Sequence, residues 1–430
     1  MKTPPVFGGH RRRHQRGAVA IIVGISIVAL IGFVGLALDL GKLFIAKTEL
    51  QNSSDACALA ASRELTGANA SQLEIAEAAG MTTGAVNRVI FQGEAVVLYV
   101  NDSVTFSNVY NGPYLAKNAI GPTEALAMKY VRCTVSRAGI ANWFIQVLNV
   151  MPGIDIGSQT VASTAVASLS PAQTNCAIPV GLCSVDPDGN PLAGKPVGTW
   201  LEGAIGPPGS GGLTGNFKWI DFTPPAGGAS ELAGILKGAG ACNIPSIGAE
   251  VGQPGNVASL GDDWNSRFGI YKGSTNPPPA PNGAVPDFTG YGYTDAPLSW
   301  PSKFGAYADF VSKRTSNTAY QGDASTLLTT QGTIKDSTFL SANGADRRLA
   351  IVPVVNCDDF VSGSTAPVQS WACILMLHPI NNSAGGSGTG ATRMYLEYRG
   401  ISSDPTSPCA TLGLSGSEDS AGPKVPVLVQ

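Results

Sequence analysis

An α+β protein hung from one N-terminal membrane-spanning helix is what this 430-residue sequence predicts, on three observations. A stretch of 21 residues, bounded by Ala18 and Leu38, holds neither a charge nor a proline. The residues that follow first keep a helix-forming composition and then turn to alternating β-branched and apolar positions. The rest of the chain concentrates glycine, proline and six of the eight cysteines. The expected architecture is a transmembrane helix continuing into a long helix and a small α+β domain, then a Gly/Pro-rich, mostly β domain with disulfides. In residues, that is a basic tail over 1–16, the span over 17–38, a stalk and small domain over 39–170, and an exported domain over 171–430.

The span comes first. At 1.5 Å per residue its 21 residues match the roughly 30 Å of a bilayer core. A secretory signal peptide has a shorter apolar run of about 7–15 residues and a polar cleavage region, whereas here more helix follows. Lys2, Arg11, Arg12, Arg13 and Arg16 give the first sixteen residues a charge of +5, so the net −3 of the whole chain leaves −8 for the remainder. That remainder has no bulk basic surface for nucleic acid. The basic tail abuts the apolar run, so it reads as a topology signal: N-terminus in the cytoplasm, everything beyond Leu38 exported. Ala20, Gly24, Gly32 and Gly35 fit either a helix contact face or the general frequency of glycine in such helices.

Residues 39–65 contain no proline and one glycine, Gly41, so the helix is expected to continue through them. Gly67 and Asn69 punctuate it, and residues 72–88 form a second helix with Leu73, Ile75, Ala76, Ala79 and Val86 apolar. Residues 94–106 and 127–137 read as strands, joined through an Asn/Gly/Pro connection over 111–122. Residues 143–150 (WFIQVLNV) read as an amphipathic or buried helix closed by Pro152 and Gly153, and 160–169 as a strand. Beyond Pro171, Gly-Pro clusters at 206–212 and 276–281 separate short apolar pieces. Residues 230–236 are the clearest helix there, with Ser230 as its N-cap, and 348–355, 372–377 and 393–398 are the best strands.

Charged residues are only 13% of the chain, and Gly 53 plus Pro 30 make up about a fifth of it, which excludes a helical bundle for the bulk. The 43% apolar content argues against wholesale disorder. The eight cysteines all follow the span, and an even set in exported, loop-rich sequence reads as disulfides. Cys133, Cys176, Cys183, Cys242, Cys357, Cys373 and Cys409 are the candidates, and their pairing stays open. Cys57 lies among alanines and suits an unpaired small residue in a helix contact. Zinc is disfavoured because no CxxC pair occurs and His378 is the one histidine outside the tail.

Catalytic constellations are not found either. His378 sits in MLHPI without a GxSxG or HExxH partner motif, so a structural histidine is expected. GPPGSGGLTG lacks the GK[ST] of a phosphate loop. Asp186, Asp188 and Asn190 alternate as calcium ligands do, but Gly189 stands fourth and no Glu stands twelfth, which favours a turn. Asp262/Asp263 and Asp358/Asp359 are adjacent and would face opposite ways on a strand. The expectation is a protein that is not an enzyme, with no catalytic residue, cofactor or metal.

The stretch from Arg16 to Leu65, RGAVAIIVGISIVALIGFVGLALDLGKLFIAKTELQNSSDACALAASREL, closely resembles the N-terminal segment of Tad/Flp pilus-assembly proteins of the TadE/TadG-like group, the TadG-like branch above all. The matching positions are Arg16, Gly17, Ala18, Asp39, Leu40, Gly41, Lys42, Glu49, Leu50, Gln51, Asn52, Asp55 and Ala56. VASTAVASLSP at 161–171 resembles the end of such regions, so the likeness extends over about 170 residues. The resemblance implies a single-pass component of the tight-adherence pilus machinery in a bacterial inner membrane, its bulk periplasmic. It also implies that Gly17, Asp39, Gly41, Lys42, Glu49, Gln51, Asn52 and Asp55 form a family motif serving partner docking. The implied partners are the membrane and other pilus assembly proteins or pilus subunits. The alternative is a surface-exposed minor pilin or adhesin released from its anchor. Pilin-like members carry Glu five residues after the cleaved glycine, and here that position after Gly17 is Ile22. Some relatives carry a metal-binding DxSxS, and here Asp323 and Ser325 are followed by Leu327, so that site is expected to be missing.

Overall fold

The computed structural model describes residues 16–150, 152–205, 213–224, 228–254, 260–295, 299–360, 365–380, 393–417 and 420–429. Arg11, Arg12 and Arg13 and the glycine cluster at 206–212 lie outside the described residues. The chain forms two units, Met1–Leu169 with Pro426–Gln430, and Ser170–Val425.

The first unit is organised by one uninterrupted 47-residue helix, Arg16–Ser62, about 70 Å long at 1.5 Å per residue. Residues 19–34 are exposed throughout. From there a buried stripe begins: Gly35, Asp39, Lys42, Ala46, Glu49, Leu50, Ser53, Ser54, Cys57, Ala58 and Ala61. Steps of three and four put these residues on one face of a 3.6-residue helix. The stripe packs against a second helix, Gln72–Val86, and a sheet of three sequential antiparallel strands, Val104–Ser107, Tyr130–Ile140 and Gln159–Thr174. Along the middle strand Val131, Cys133 and Val135 are buried and Arg132 and Thr134 are not, the period-two signature of a half-buried strand. Val104, Phe106, Val131, Cys133, Ala165 and Ala167 meet Cys57, Ala58, Ala61, Leu65, Leu73 and Ala76 in one core. The two helices approach closely at glycines. A Cβ on Gly80 would stand 3.0 Å from that of Ala61, and one on Gly84 would stand 3.1 Å from that of Cys57. The C-terminal residues return to this unit, where the Val429 N–H donates to the Val166 carbonyl.

The second unit is built on a seven-stranded sheet. Its order is Leu213–Gly215, Trp200–Ile205, Arg393–Ile401, Ser370–Met376, Leu349–Val355, Val180–Cys183 and Phe217–Trp219. All neighbours are antiparallel except Val180–Cys183 and Leu349–Val355, which run parallel with Val354 opposite Leu182. The central strands are buried at every position of Leu349–Val355 because both faces of the sheet are covered. Ala350, Val352 and Val354 pack on one side with Leu232 and Leu236 of the helix Ala229–Lys237 and Trp264 of the helix Leu260–Ser266. Leu349, Ile351 and Val355 pack on the other with Phe310 of the helix Tyr307–Thr315.

Four disulfides join Cys57 to Cys133, Cys176 to Cys242, Cys183 to Cys357, and Cys373 to Cys409. Cys57 is therefore not the unpaired residue its alanine surroundings suggest. The helix stripe and the inward alternation of the middle strand bring it face to face with Cys133, a meeting that neither local pattern encodes alone. Other expectations are corrected locally. Residues 94–106 are two short strands, Glu94–Ala95 and Val104–Ser107, separated by a turn whose Asn101 has φ 60°. Residues 143–150 contain a 3-10 helix, Ile145–Val150, and leave Trp143 and Phe144 exposed. The helix predicted from Ser230 is capped by Gly228 (φ 147°), with no side-chain cap. Asp262 and Asp263 lie on a helix, where Asp263 accepts from the Thr275 hydroxyl at 2.6 Å.

Candidate functional site

The polar members of the helix stripe act as a clasp on the small domain. Immediately after the apolar run, the Asp39 carboxylate accepts three backbone N–H groups, from Trp143 at 2.7 Å, Phe144 at 2.9 Å and Ile145 at 2.7 Å. Ile145 opens the 3-10 segment and Trp143 and Phe144 lead into it, so an anionic side chain at that end satisfies N–H groups that the segment itself leaves unpaired and suits the local dipole. Lys42 lies one turn further. Its ammonium donates to the Ala141 carbonyl at 2.9 Å and stands 4.5 Å from the centre of the Trp143 ring. Asp39 and Lys42 therefore hold the two ends of one short segment, residues 141–145.

Two turns on, Glu49 accepts the Gln92 backbone N–H at 3.1 Å and its side-chain amide at 3.2 Å. Gln92 ends three consecutive non-glycine residues in the left-handed region, Ile90 (φ 58°), Phe91 (φ 55°) and Gln92 (φ 61°). Such residues cost about 1–2 kcal/mol each, so the turn needs external holders. Glu49 is one, and the Arg88 guanidinium, which donates to the Gln92 and Gly93 carbonyls, is another. Gln51 donates to Asp55 at 2.6 Å and accepts from the Ser163 hydroxyl, which also meets Ser54 at 3.2 Å. Ser53 donates to the Gly84 carbonyl at 2.8 Å, and Lys47 to the Ala162 carbonyl at 2.6 Å.

The motif residues thus fall into groups. Asp39, Lys42, Glu49, Gln51 and Asp55 engage the same unit, while Asn52 is exposed and Gly41 has open space where a side chain would begin. Arg16, Gly17 and Ala18 form the opening turn of the helix, and Leu38 closes the apolar run half exposed. Of the cysteines, Cys133 closes this site through Cys57, and Cys176, Cys183, Cys242, Cys357, Cys373 and Cys409 belong to the second unit. Sequence reasoning missed Trp143, Phe144, Gln92 and Ser163 as receivers of the clasp. The signal that could have found the stripe is its spacing, 35, 39, 42, 46, 49, 53, 57, which is periodic regardless of polarity and so invisible to a hydropathy reading.

In the second unit the singled-out polar residues have structural partners. His378 is buried, with Nδ1 2.8 Å from the Pro379 carbonyl and Nε2 accepting the Tyr395 N–H at 3.1 Å, and burial pushes its pKa down to about 4. Asp186 accepts from Lys195 at 2.7 Å and from the Asn190 and Asp188 N–H groups, and Lys195 and Asn190 hold its carboxyl well below the usual range. Together with Gly189 at φ 86° these bonds form a closed turn. Among the described residues no three His, Cys, Asp or Glu side chains converge as a metal site would require.

The helix Arg16–Ser62 is long and apolar enough over its first half to cross a membrane. No curated protein and no solved structure matches the chain. A family model does: residues 17–70 match Tad, described as "Putative Flp pilus-assembly TadE/G-like", and the match ends before the 161–171 stretch. The long helix and its clasp residues therefore lie in the segment that matches the TadE/G-like Flp pilus-assembly family.

Proposed function

We propose that this chain is a single-pass inner-membrane structural or accessory component of a Tad/Flp pilus assembly system, of the TadG-like kind. Its N-terminal tail is cytoplasmic, its two units are periplasmic, and it acts by contact rather than by catalysis. The observation that carries this reading is the coincidence of the Tad match with the helix Arg16–Ser62. The first half of that helix is bare apolar surface, and the second half is fastened to a folded domain by polar residues that lie within the matched segment. An anchor of this kind holds a rigid domain at a set distance from the bilayer. Four disulfides, all beyond the apolar run, agree with an oxidising compartment on that side. In this reading the exposed surfaces of the two units meet other assembly proteins or pilus subunits.

Protease treatment of spheroplasts after membrane fractionation tests it. The full chain should stay with the inner membrane and lose both units to external protease; a protected C-terminal domain overturns the orientation. The minor-pilin reading rests on Gly17 following Arg16 directly at the start of the helix. Mass spectrometry of the mature N-terminus separates the two, because an intact tail through Gly17 excludes release by cleavage there.

A further inference from the structure

We propose that Trp143 and Phe144 form a second, monotopic membrane contact, seated in the interfacial layer of the bilayer where the long helix leaves it. This inference rests on the membrane-spanning reading above. Phe144 lies directly on the helix: a Cβ at Gly35 would stand 2.6 Å from the Phe144 Cβ, so only glycine admits the ring there. Gly35 precedes Leu38 by three residues, which puts this contact about 4–5 Å inside the end of the apolar run. Asp39 then fixes the backbone of residues 143–145, and Lys42, about 6 Å beyond Leu38, lies over the Trp143 ring. The depth of both aromatic rings is thereby tied to the depth of the helix, since every one of these contacts is made to it.

Both rings are nevertheless open, Trp143 58% and Phe144 43% exposed, and Leu38 and Leu40, which flank Asp39 in the helix, are exposed at 48% each. In water this is an unfavourable apolar patch. At the edge of a bilayer it has the chemistry of an interfacial belt, with an aromatic pair at the headgroup level. The occupant is lipid rather than a protein partner because the patch continues the bare surface of the span without a break: residues 19–34 are exposed throughout and Gly35 is already under Phe144.

The test uses the full-length protein in vesicles of phosphatidylcholine and phosphatidylglycerol with bromine on the acyl chains. Trp143 is the one tryptophan of the first unit, so the difference in emission between wild type and Trp143→Phe isolates it. Bromines near the headgroup should quench that difference signal, and aqueous acrylamide should leave most of it. Moving the reporter one residue, with Phe144→Trp in the Trp143→Phe background, should shift the strongest quenching to more deeply placed bromines. A Trp143 signal that acrylamide removes and bromolipids leave intact overturns the inference, as does burial against another protein that shields it from both. Alkaline carbonate extraction separates this failure from that of the parent reading. A chain washed off the vesicles overturns the span itself, whereas a retained chain with unquenched Trp143 overturns only the interfacial contact.

Discussion

In the first unit the buried Asp39 and Lys42 project from one continuous helix and grip backbone groups about a hundred residues away; in the second Arg267, Asp287 and Arg348 stand outside the helices and strands and bind one another's backbone and the carbonyls around them. Asp39 reaches Trp143, Phe144 and Ile145 across separations of 104 to 106 residues, yet its own position is set by helix spacing alone. Arg348 and Arg267 are fully buried in the second unit. Arg348 donates to the Met376, Leu377 and Tyr291 carbonyls, and Arg267 to those of Leu236, Ile235 and Arg347. Asp287 lies among them, accepting the N–H groups of Arg347, Arg348 and Thr289. The strands differ in the same sense. Those of the small sheet pair in sequence order, while Leu201 pairs with Leu396 and Leu182 with Val354 in the large one. One unit is thus assembled from a local element with distant receivers. The other depends on long-range pairing and on buried charges that need every partner in place.

The sharpest way to break this comparison is Asp287→Ala. It strips the buried arginines of their carboxylate and leaves three N–H groups without an acceptor, so the second unit should lose about 3–5 kcal/mol. Five of the six tryptophans lie in that unit, so urea unfolding followed by tryptophan emission reads it. A loss below about 1 kcal/mol would mean the cluster is not an interdependent network.

Replacing both Cys57 and Cys133 by alanine opens a link between residues 76 apart, and should cost the first unit about 2–5 kcal/mol. Faster hydrogen exchange along Tyr130–Ile140, with unchanged tryptophan unfolding in the second unit, is the expected pattern. If exchange stays as slow as in the wild type, packing rather than the disulfide holds helix to sheet.

Asp39→Ala is expected to act more locally, costing about 1–3 kcal/mol. Amide exchange at Trp143, Phe144 and Ile145 should accelerate about tenfold or more while the rest of the unit stays protected. Asp39→Asn, which keeps an acceptor, should fall between; equal protection in all three proteins would remove Asp39 from the clasp.

The smallest effect concerns pH. Burial raises Asp287 from its ordinary 3.8 to about 6, against the pull of Arg348 and its N–H donors. Its contribution to stability is therefore full below about pH 3.8 and lost as the pH rises through 6. Burial lowers His378 from 6.5 to about 4, so its contribution is present above pH 6.5 and lost as the pH falls toward 4. The two slopes oppose each other across one window and nearly cancel in the wild type. His378→Gln should unmask the Asp287 slope, making the second unit gain stability on acidification from pH 6.5 to 4 relative to wild type; parallel profiles would refute this compensation.

Much of the first unit was legible in the chain. The charge-free run and its proline-free continuation foretold the helix Arg16–Ser62, because helix formation depends on neighbours within one or two turns. The strands Tyr130–Ile140, Leu349–Val355, Ser370–Met376 and Arg393–Ile401 showed as apolar or alternating runs, a local signal as well. The clasp was not legible, since polar residues at core spacing look like a solvated helix face until something is seen to receive them. Residues 143–150 misled for a related reason. Their apolar content reads as a helix, but Asp39 gathers their first N–H groups and the backbone tightens into a 3-10 turn.

By itself the sequence determined a long N-terminal helix with one apolar half, a Tad-like motif on its second half, an even set of cysteines and the main strands, all properties of neighbouring residues. Only the tertiary structure decided that Cys57 pairs with Cys133, that Asp39 and Lys42 hold the Trp143 segment, and that the large sheet sets Val180–Cys183 beside Leu349–Val355. The physical reason is distance along the chain. Contacts closing loops of 36 to 174 residues, as the four disulfides do, are selected by the packing of whole faces against one another, which no window of the sequence contains.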